Sequence, residues 1–558
     1  MKSIGKVLFL SVCLAVPVGF GAVANNVELP DYLKSPWEYS TLNMTKEDWK
    51  TLDGKFPDSF LWGPAIAAHQ VEGNNVNDWS RFESPSKCYT SGIASDHYRT
   101  TPRTITEGKN EGKIIPPYRN ADFDMAKDLG MNTFRFSIEW SRIEPVQGEF
   151  NEAATNYYRD YLKELNARGL KPMVTLWHFS FPVWVQDPLD MASSLGGWPK
   201  QETVEAFRVF AEYCAKNFGD LVDFWVTENE PIGNLMAGWM GAYFPPGHLL
   251  WMDYMKLAAL NAARAHNLAY DEIKEHDTVD ADGDGITSQV GLVKAVRKLK
   301  PNDINSPKDL ESTKKLEYWY TFHGLDAAVT GKLDTNFDGV GTEGDGKLRL
   351  DFIGVNYYST FLVGYYFLAN ISARAIRGDL DPVGGCPLVL NDGNSGRPHN
   401  SLDWEIYPQG FYDVLMDIHK RYGDLKIPIY ITENGMPDPT PSPSSLSGPV
   451  NLKRTRFIIS HLQMMLKAMK GGVDIRGYYY WTLFDNFEWR EGFLPKAHFG
   501  LYGLEYSGGP ETHPTDTLKR VPRAAVNHIK EIIKENGITA DIIRKYGTFS
   551  DMLNYRYL

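Results

Sequence analysis

Two short apolar runs of the sequence finish in glutamate: Val226-Thr227-Glu228-Asn229-Glu230-Pro231 and Tyr430-Ile431-Thr432-Glu433-Asn434-Gly435. Paired carboxyl groups facing one pocket are the basic equipment for breaking a glycosidic bond through an oxocarbenium-like transition state. One protonates the departing oxygen; in retaining enzymes the other stands about 5–5.5 Å away and attacks the anomeric carbon. An isolated glutamate at a strand end is usually solvated or capping, so the pair carries the reading. The first run offers two acids. Strand alternation sends Glu228 and Glu230 to the same face, so direction alone does not choose between them. Position does: Glu230 lies at the very end, beside Asn229 and against a strand-terminating proline.

Something must hold these acids at one rim. Eight strand-like runs recur: Phe60–Ala67, Asn132–Ile138, Pro172–His178, Val222–Asn229, Val290–Ala295, Phe352–Tyr357, Pro428–Glu433 and Gly477–Thr482. Helical patterns separate most of them, such as Met252–Glu275 and Arg454–Lys470, the latter stopped by Gly471-Gly472. Strand alternating with helix gives an α/β fold with a parallel sheet, and eight strands point to a closed barrel, a single (β/α)₈ TIM barrel with elaborated loops. In such a barrel all strand carboxyl ends meet on one face, where active sites are built. The endings here are Gln70, Arg135, His178, Asn229-Glu230, Asn356-Tyr357-Tyr358, Glu433 and Trp481, a chemistry-rich set that packing does not explain.

A chain of 558 residues would ordinarily suggest two domains, but barrels with long loops exceed 400 as one unit. Residues 1–24 read as a secretory signal: Lys2 and Lys6, an apolar stretch from Val7 to Val16, then Ala22-Val23-Ala24 as a cleavage site. Pro17, Gly19 and Gly21 leave that stretch short of the ~20 residues of a spanning helix. Export to the periplasm or the extracellular space is therefore expected, with no membrane span in the mature chain. Residues 25–57 read as an N-terminal extension, 58–540 as the catalytic barrel and 541–558 as a C-terminal tail. His97–Lys113 and the Pro- and Ser-rich Asp438–Pro449 read as loops. The formal charge of −12 disfavours nucleic acid as a partner. Once Cys13 leaves with the signal, Cys88, Cys214 and Cys386 remain, with no metal-like spacing; Cys214 reads as buried and inert.

The details resemble a known family. T-x-N-E-P at Thr227–Pro231 and I-T-E-N-G at Ile431–Gly435 are similar to the acid/base and nucleophile motifs of the family 1 glycoside hydrolases, the β-glucosidase and β-galactosidase family. The likeness runs over residues 55–535 and includes Phe60–Gly63 through Gln70–Gly73, Phe134–Ser137, Thr175–His178 and Asn356–Tyr358. His178–Trp184, Phe244–Gly247 and Asp403–Pro408 lean toward the archaeal-type β-glycosidases. The resemblance implies Glu230 as acid/base and Glu433 as nucleophile, kept ionised by Arg135, with Asn229, Asn356 and Tyr358 in support. Gln70, His178, Glu488 and Trp489 would bind sugar hydroxyls, and Trp481 would stack under the ring. Glu488 would repel a phosphorylated sugar. His178, Trp481 and Trp489 taken singly would read as core residues, so their roles rest on the motifs. Phe179 departs from the tryptophan that many members carry after the histidine.

The implied activity is exo-acting hydrolysis of terminal non-reducing β-D-glycosyl residues from β-linked glucosides or short oligosaccharides, β-glucosidase foremost, with β-galactosidase or β-fucosidase activity alongside. It needs no catalytic cofactor. Transglycosylation on the same machinery and a noncatalytic sugar-binding barrel are the alternatives; the latter would be expected to have lost one carboxylate. One motif stands apart. Asp334-x-Asn336-x-Asp338-Gly339 continues to Asp345 at the twelfth position, the spacing of a calcium loop. Asp280-x-Asp282-x-Asp284-Gly285 is weaker, with Gly291 at its twelfth position. Both precede strands five and six, so a structural calcium ion at the barrel's amino-terminal face is expected from them.

Overall fold

The structure is a computed structural model that describes residues 42–83, 89–365, 387–390, 397–439, 452–505 and 515–553. Eight parallel strands close on themselves: β1 (Leu61–Ala65), β2 (Thr133–Ser137), β3 (Lys171–Trp177), β4 (Phe224–Asn229), β5 (Gln289–Pro301), β6 (Phe352–Tyr365), β7 (Ile429–Asn434) and β8 (Ile475–Trp481). Each neighbours the next in sequence, and β8 pairs with β1 from Gly477↔Leu61 to Trp481↔Ala65 to seal the ring. Between and after them run α1 (Arg119–Asp128), α2 (Glu152–Ala167), α3 (Gln201–Phe218), α4 (Met252–His276), α5 (His323–Thr330), α6 (Pro408–Tyr422), α7 (Lys453–Lys470) and α8 (Ala525–Glu535). The architecture is the expected TIM barrel.

The strands are nearly all apolar because both of their faces are covered. Met173, Phe224, Val226, Val293, Phe352, Tyr430, Tyr479 and Trp481 fill the barrel's interior. A larger layer, including Phe136, Trp225, Ile353, Ile431 and Tyr478, packs against the helices. α7 presents Phe457, Ile458, Leu462, Met465 and Leu466 to it and ends at Gly471-Gly472, the latter at φ +99°, a conformation glycine tolerates.

Two strands run beyond their expected ends. β5 and β6 continue side by side past the barrel wall, from Thr360↔Lys298 to Val363↔Pro301, and Pro387–Leu390 adds antiparallel to β6. The described parts of the expected extension and tail are also more ordered than their composition suggests. Lys46–Thr51 is a helix capped by Thr45, and its Trp49 is buried against Phe549 at 5.3 Å. Gly54-Lys55 pairs with Gly537-Ile538, and a helix at Ala540–Tyr546 buries Ile542 and Ile543. Parts of the expected extension and tail thus close over the start of β1. The signal segment, Cys88, Cys386 and most of Asp438–Pro449 lie outside the described residues. Among the described residues, no helix is long and apolar enough to cross a membrane.

Candidate active site

β4 does not keep the simple alternation expected of it. Its register against β5 shifts between Val226 and Asn229. Thr227 turns outward, its hydroxyl 2.6 Å from Nδ1 of His266 on α4. Glu228 lies level with Trp177 of the outer layer, and the charge acting on it is that of Lys294, whose ammonium abuts Gly324 on α5. The expectation that Glu228 shares a face with Glu230 is thereby corrected: the bulge puts Glu228 behind the barrel wall. Asn229 then points inward. Glu230 follows in the left-handed region (φ 45°, ψ 49°), ahead of Pro231 at the first position of a short helix. That backbone turn aims its side chain over the barrel mouth.

Glu433, from the end of β7, is gripped from two strands. Nη1 of Arg135 (β2) donates to its Oε1 at 2.6 Å, and the Tyr358 hydroxyl (β6) donates to its Oε2 at 2.7 Å. Asn356 stands between the acids. Its amide donates to Glu230 at 2.7 Å and lies close enough to Glu433 to favour the charged form there, while its oxygen accepts from Thr432 at 2.7 Å. Oδ1 of Asn229 accepts from Arg135 at 2.6 Å and from Asn356 at 3.1 Å, completing the network.

The environments separate the two acids. Burial raises both pKa values. On Glu433 the Arg135 charge and the donated hydrogen bonds oppose that rise. On Glu230 burial comes first and the negative charge of Glu433 adds to it, pushing the group up to about 7. One proton shared between them therefore resides on Glu230. A carboxylate held by a guanidinium can attack; a buried neutral carboxyl can donate.

The remaining expected residues line the same hollow with unspent hydrogen-bonding capacity. Gln70 donates to the Phe487 carbonyl at 2.8 Å, which leaves its Oε1 buried without a partner. Asn229 spends its oxygen on Arg135, so its amide donates to Nε2 of His178 at 3.2 Å; the His178 proton then sits on Nδ1, which has no partner. Burial keeps that ring neutral. Glu488 lies 3.5 Å from the Gln70 amide, and burial, then the Glu433 charge, push it up to about 8. Trp481 and Trp489 are both buried, each stacked near His178 at 6.0 and 6.2 Å. Phe179, the departure noted in sequence, packs on Trp489 at 5.2 Å. Three further residues join the site unforeseen. Asn486, beside Gln70, has a buried amide nitrogen without a partner. Tyr320 and Arg297 flank Glu230. Asn486 was visible as a polar residue in the run before Glu488; Arg297 and Tyr320 carried no motif.

The residues from which a calcium ion was expected are engaged by the protein's own donors. Asp334 accepts from the Tyr318 hydroxyl at 2.8 Å and from the amides of Asp338 and Gly339. Asp338 accepts from Asn336 and from the Val340 amide. Both oxygens of Asp345 are engaged by Arg349 at 2.7 Å. The spacing is that of a calcium loop, while its oxygens accept from donors of the protein and the twelfth position is engaged by Arg349. Asp280 and Asp282, from the weaker run, gather with Asp223 on that face. Their oxygens also accept from backbone amides of the loop.

A parallel eight-stranded barrel carrying two inequivalent carboxyl groups at its carboxyl-terminal mouth, above a hollow lined by buried polar groups, defines the class of barrel glycosidases. Comparison with known proteins makes the class specific. The model for glycosyl hydrolase family 1 matches residues 52–538, and the chain belongs to that family. It is 32% identical over 542 residues to a β-galactosidase of Pyrococcus woesei, covering 87% of this chain and 98% of that protein. It is 30% identical to β-glucosidase 33 of Arabidopsis thaliana, over 86% of this chain and 77% of the relative. The solved β-glycosidase of Pyrococcus horikoshii superposes with a TM-score of 0.68 at 31% identity, covering 88% of this chain and 98% of its own. The protein is a glycoside hydrolase of the β-glucosidase and β-galactosidase type.

Proposed function

We propose that the protein is a retaining, exo-acting β-glycosidase, foremost a β-glucosidase, with Glu433 as nucleophile and Glu230 as acid/base. The observation that carries this is the Asn356 amide, poised between the two carboxyl groups. That amide donates to Glu230 at 2.7 Å and favours the charge on Glu433, and Glu230 in turn feels the Glu433 charge, so both carboxyl groups face one space, as attack and proton donation at a single glycosidic bond require.

The sugar's C1 would meet Glu433, whose charge Arg135 and Tyr358 hold in place. As the glycosidic bond lengthens, Glu230 passes its proton to the leaving oxygen. The Glu433 ester that forms carries no charge, so the repulsion that raised Glu230 is gone. Glu230 is then a carboxylate able to take a proton from water, which releases the sugar and restores Glu433. Family 1 chemistry requires no cofactor for these steps. Gln70, His178 and Asn486, with buried unpaired polar atoms, and Glu488 would together take the hydroxyls of one sugar, which supports attack on a terminal residue. A neutral Glu488 can donate to one hydroxyl and accept from another, which suits both glucosides and galactosides. The positive start, apolar run and cleavage pattern of residues 1–24 support export to the periplasm or beyond.

A panel of nitrophenyl β-glycosides on wild type and Glu433→Gln tests the assignment. The variant is expected to lose roughly 10³-fold or more in kcat, the scale of other nucleophile removals. Turnover near that of wild type would refute it.

A further inference from the structure

Arg297 is not accounted for by the chemistry above. On β5, Ala295 pairs with Asn356 at the level of the two acids, and Arg297 is two residues further along the same strand. Alternation returns it to the inward face about 7 Å beyond that level. There the guanidinium lies over Phe361 at 4.3 Å and Trp404 at 5.4 Å. Trp404 continues an aromatic wall back to Tyr358, 6.0 Å away. Arg297 acts electrostatically on Glu230, Tyr320 and Tyr357, and Tyr320 is also its hydrogen-bond partner. Arg297 thus stands beside the general acid and further out along β5 than the two catalytic carboxyl groups.

Its neighbours on the same extension are spoken for. Lys298 pairs with Asp417 at 2.9 Å, and Lys300 with Glu405 at 3.2 Å; Arg397 also pairs with Glu405. Arg297 has no carboxylate at ion-pair distance among the described residues, and its Nε and Nη1 are buried without an acceptor. Stacking on two aromatic faces stabilises the charge but satisfies neither N–H. Buried donors left unpaired are costly, and a guanidinium fork matches a carboxylate through two parallel hydrogen bonds.

We infer that Arg297 is a specificity residue for the leaving group, and that the preferred substrates carry a carboxylate there, as in a uronic acid unit or an aromatic acid. The inference rests on the hydrolase reading above. It deepens it by dividing the site into a neutral sugar pocket and a cationic outer subsite.

The test uses matched pairs: glucose β-1,4-linked to glucuronate against cellobiose, and the 3- and 4-carboxyphenyl β-glucosides against their carbamoyl analogues. The readout is the kcat/KM ratio of acid to neutral partner within one enzyme, so any effect of Arg297 on Glu230 cancels. Wild type is expected to favour the acid in at least one pair by about tenfold, the scale of one charge-assisted hydrogen bond, and the preference should shrink with added salt. Arg297→Met should bring that ratio to within about twofold of unity. Arg297→Lys, which keeps the charge and loses the fork, should fall between and serves if the methionine variant does not fold. A wild type with no preference for any acid, or a ratio unchanged by both substitutions, would overturn the inference. Failure to cleave any substrate, nitrophenyl glycosides included, would instead overturn the hydrolase reading.

Discussion

The two rims of this barrel both carry carboxylates at suggestive spacing, yet they are built in opposite ways. At the carboxyl-terminal mouth, Gln70 Oε1, His178 Nδ1 and the Asn486 amide nitrogen are buried and unpaired, while Glu230 and Glu488 are pushed up to about 7 and 8 by burial and by the charge of Glu433. At the amino-terminal rim, Asp334, Asp338 and Asp345 have spent their oxygens on Tyr318, on backbone amides and on Arg349. The first rim holds hydrogen-bonding capacity in reserve; the second has used it on itself. Ligand spacing in a sequence marks a site only when the groups are left wanting a partner and aimed at one space.

Substitutions sharpen the contrast. The largest effect after loss of the nucleophile is expected from Glu230→Gln. Turnover of a disaccharide should fall ~10²–10⁴-fold, the usual worth of a positioned acid/base, and activated aryl glycosides should suffer less because they need less protonation. The wild-type pH profile should show the same group. Glu230 acts as a donor only when protonated, so with a pKa near 7 kcat/KM should fall as pH rises through about 7. That descent should be absent in the variant for an aryl substrate. Glu228→Gln, one strand-step away but behind the wall, should retain activity within about tenfold and keep the descent. If Glu228→Gln proves the more damaging, the bulge in β4 has been misread.

Gln70→Ala is next in size. It removes an acceptor meant for a sugar hydroxyl, and kcat/KM should drop about tenfold to a hundredfold, the cost of one or two hydrogen bonds in a buried site, with no change in pH profile. The smallest expected effect lies at the other rim: melting temperature with calcium or with EDTA should agree within error. A clear rise with calcium would restore an ion to the Asp-rich turns and break the comparison.

Much of this arrangement was legible in the residues. Apolar runs bounded by turns located all eight strands, and the chemistry of their endings located the mouth, because both follow from local pattern. What was hidden depended on geometry that a period-two rule does not contain. The register shift in β4 sends Glu228 outward and turns Asn229 inward. The extensions of β5 and β6 form because they pair with each other, and neither run advertises it alone. Arg297 looks like one more charge in Val-Arg-Lys-Leu-Lys, and only the fold shows its neighbours ion-paired while its own Nε and Nη1 lack acceptors. Trp49 sat in a stretch without pattern, but it is anchored by residues some 500 positions away that only the fold brings near. The Asp334–Asp345 run shows the converse: its spacing is complete in the sequence, and only the fold shows Arg349, just beyond it, engaging the last position.

The central claim is that Glu433 attacks C1 directly, so that two displacements occur at one carbon. Proton NMR of the first-formed product from a β-glycoside, followed before mutarotation, reads this outcome. The account predicts that the β-anomer appears first and the α-anomer only later, as the solution equilibrates. Initial release of the α-anomer would mean a single displacement by water, and would contradict it.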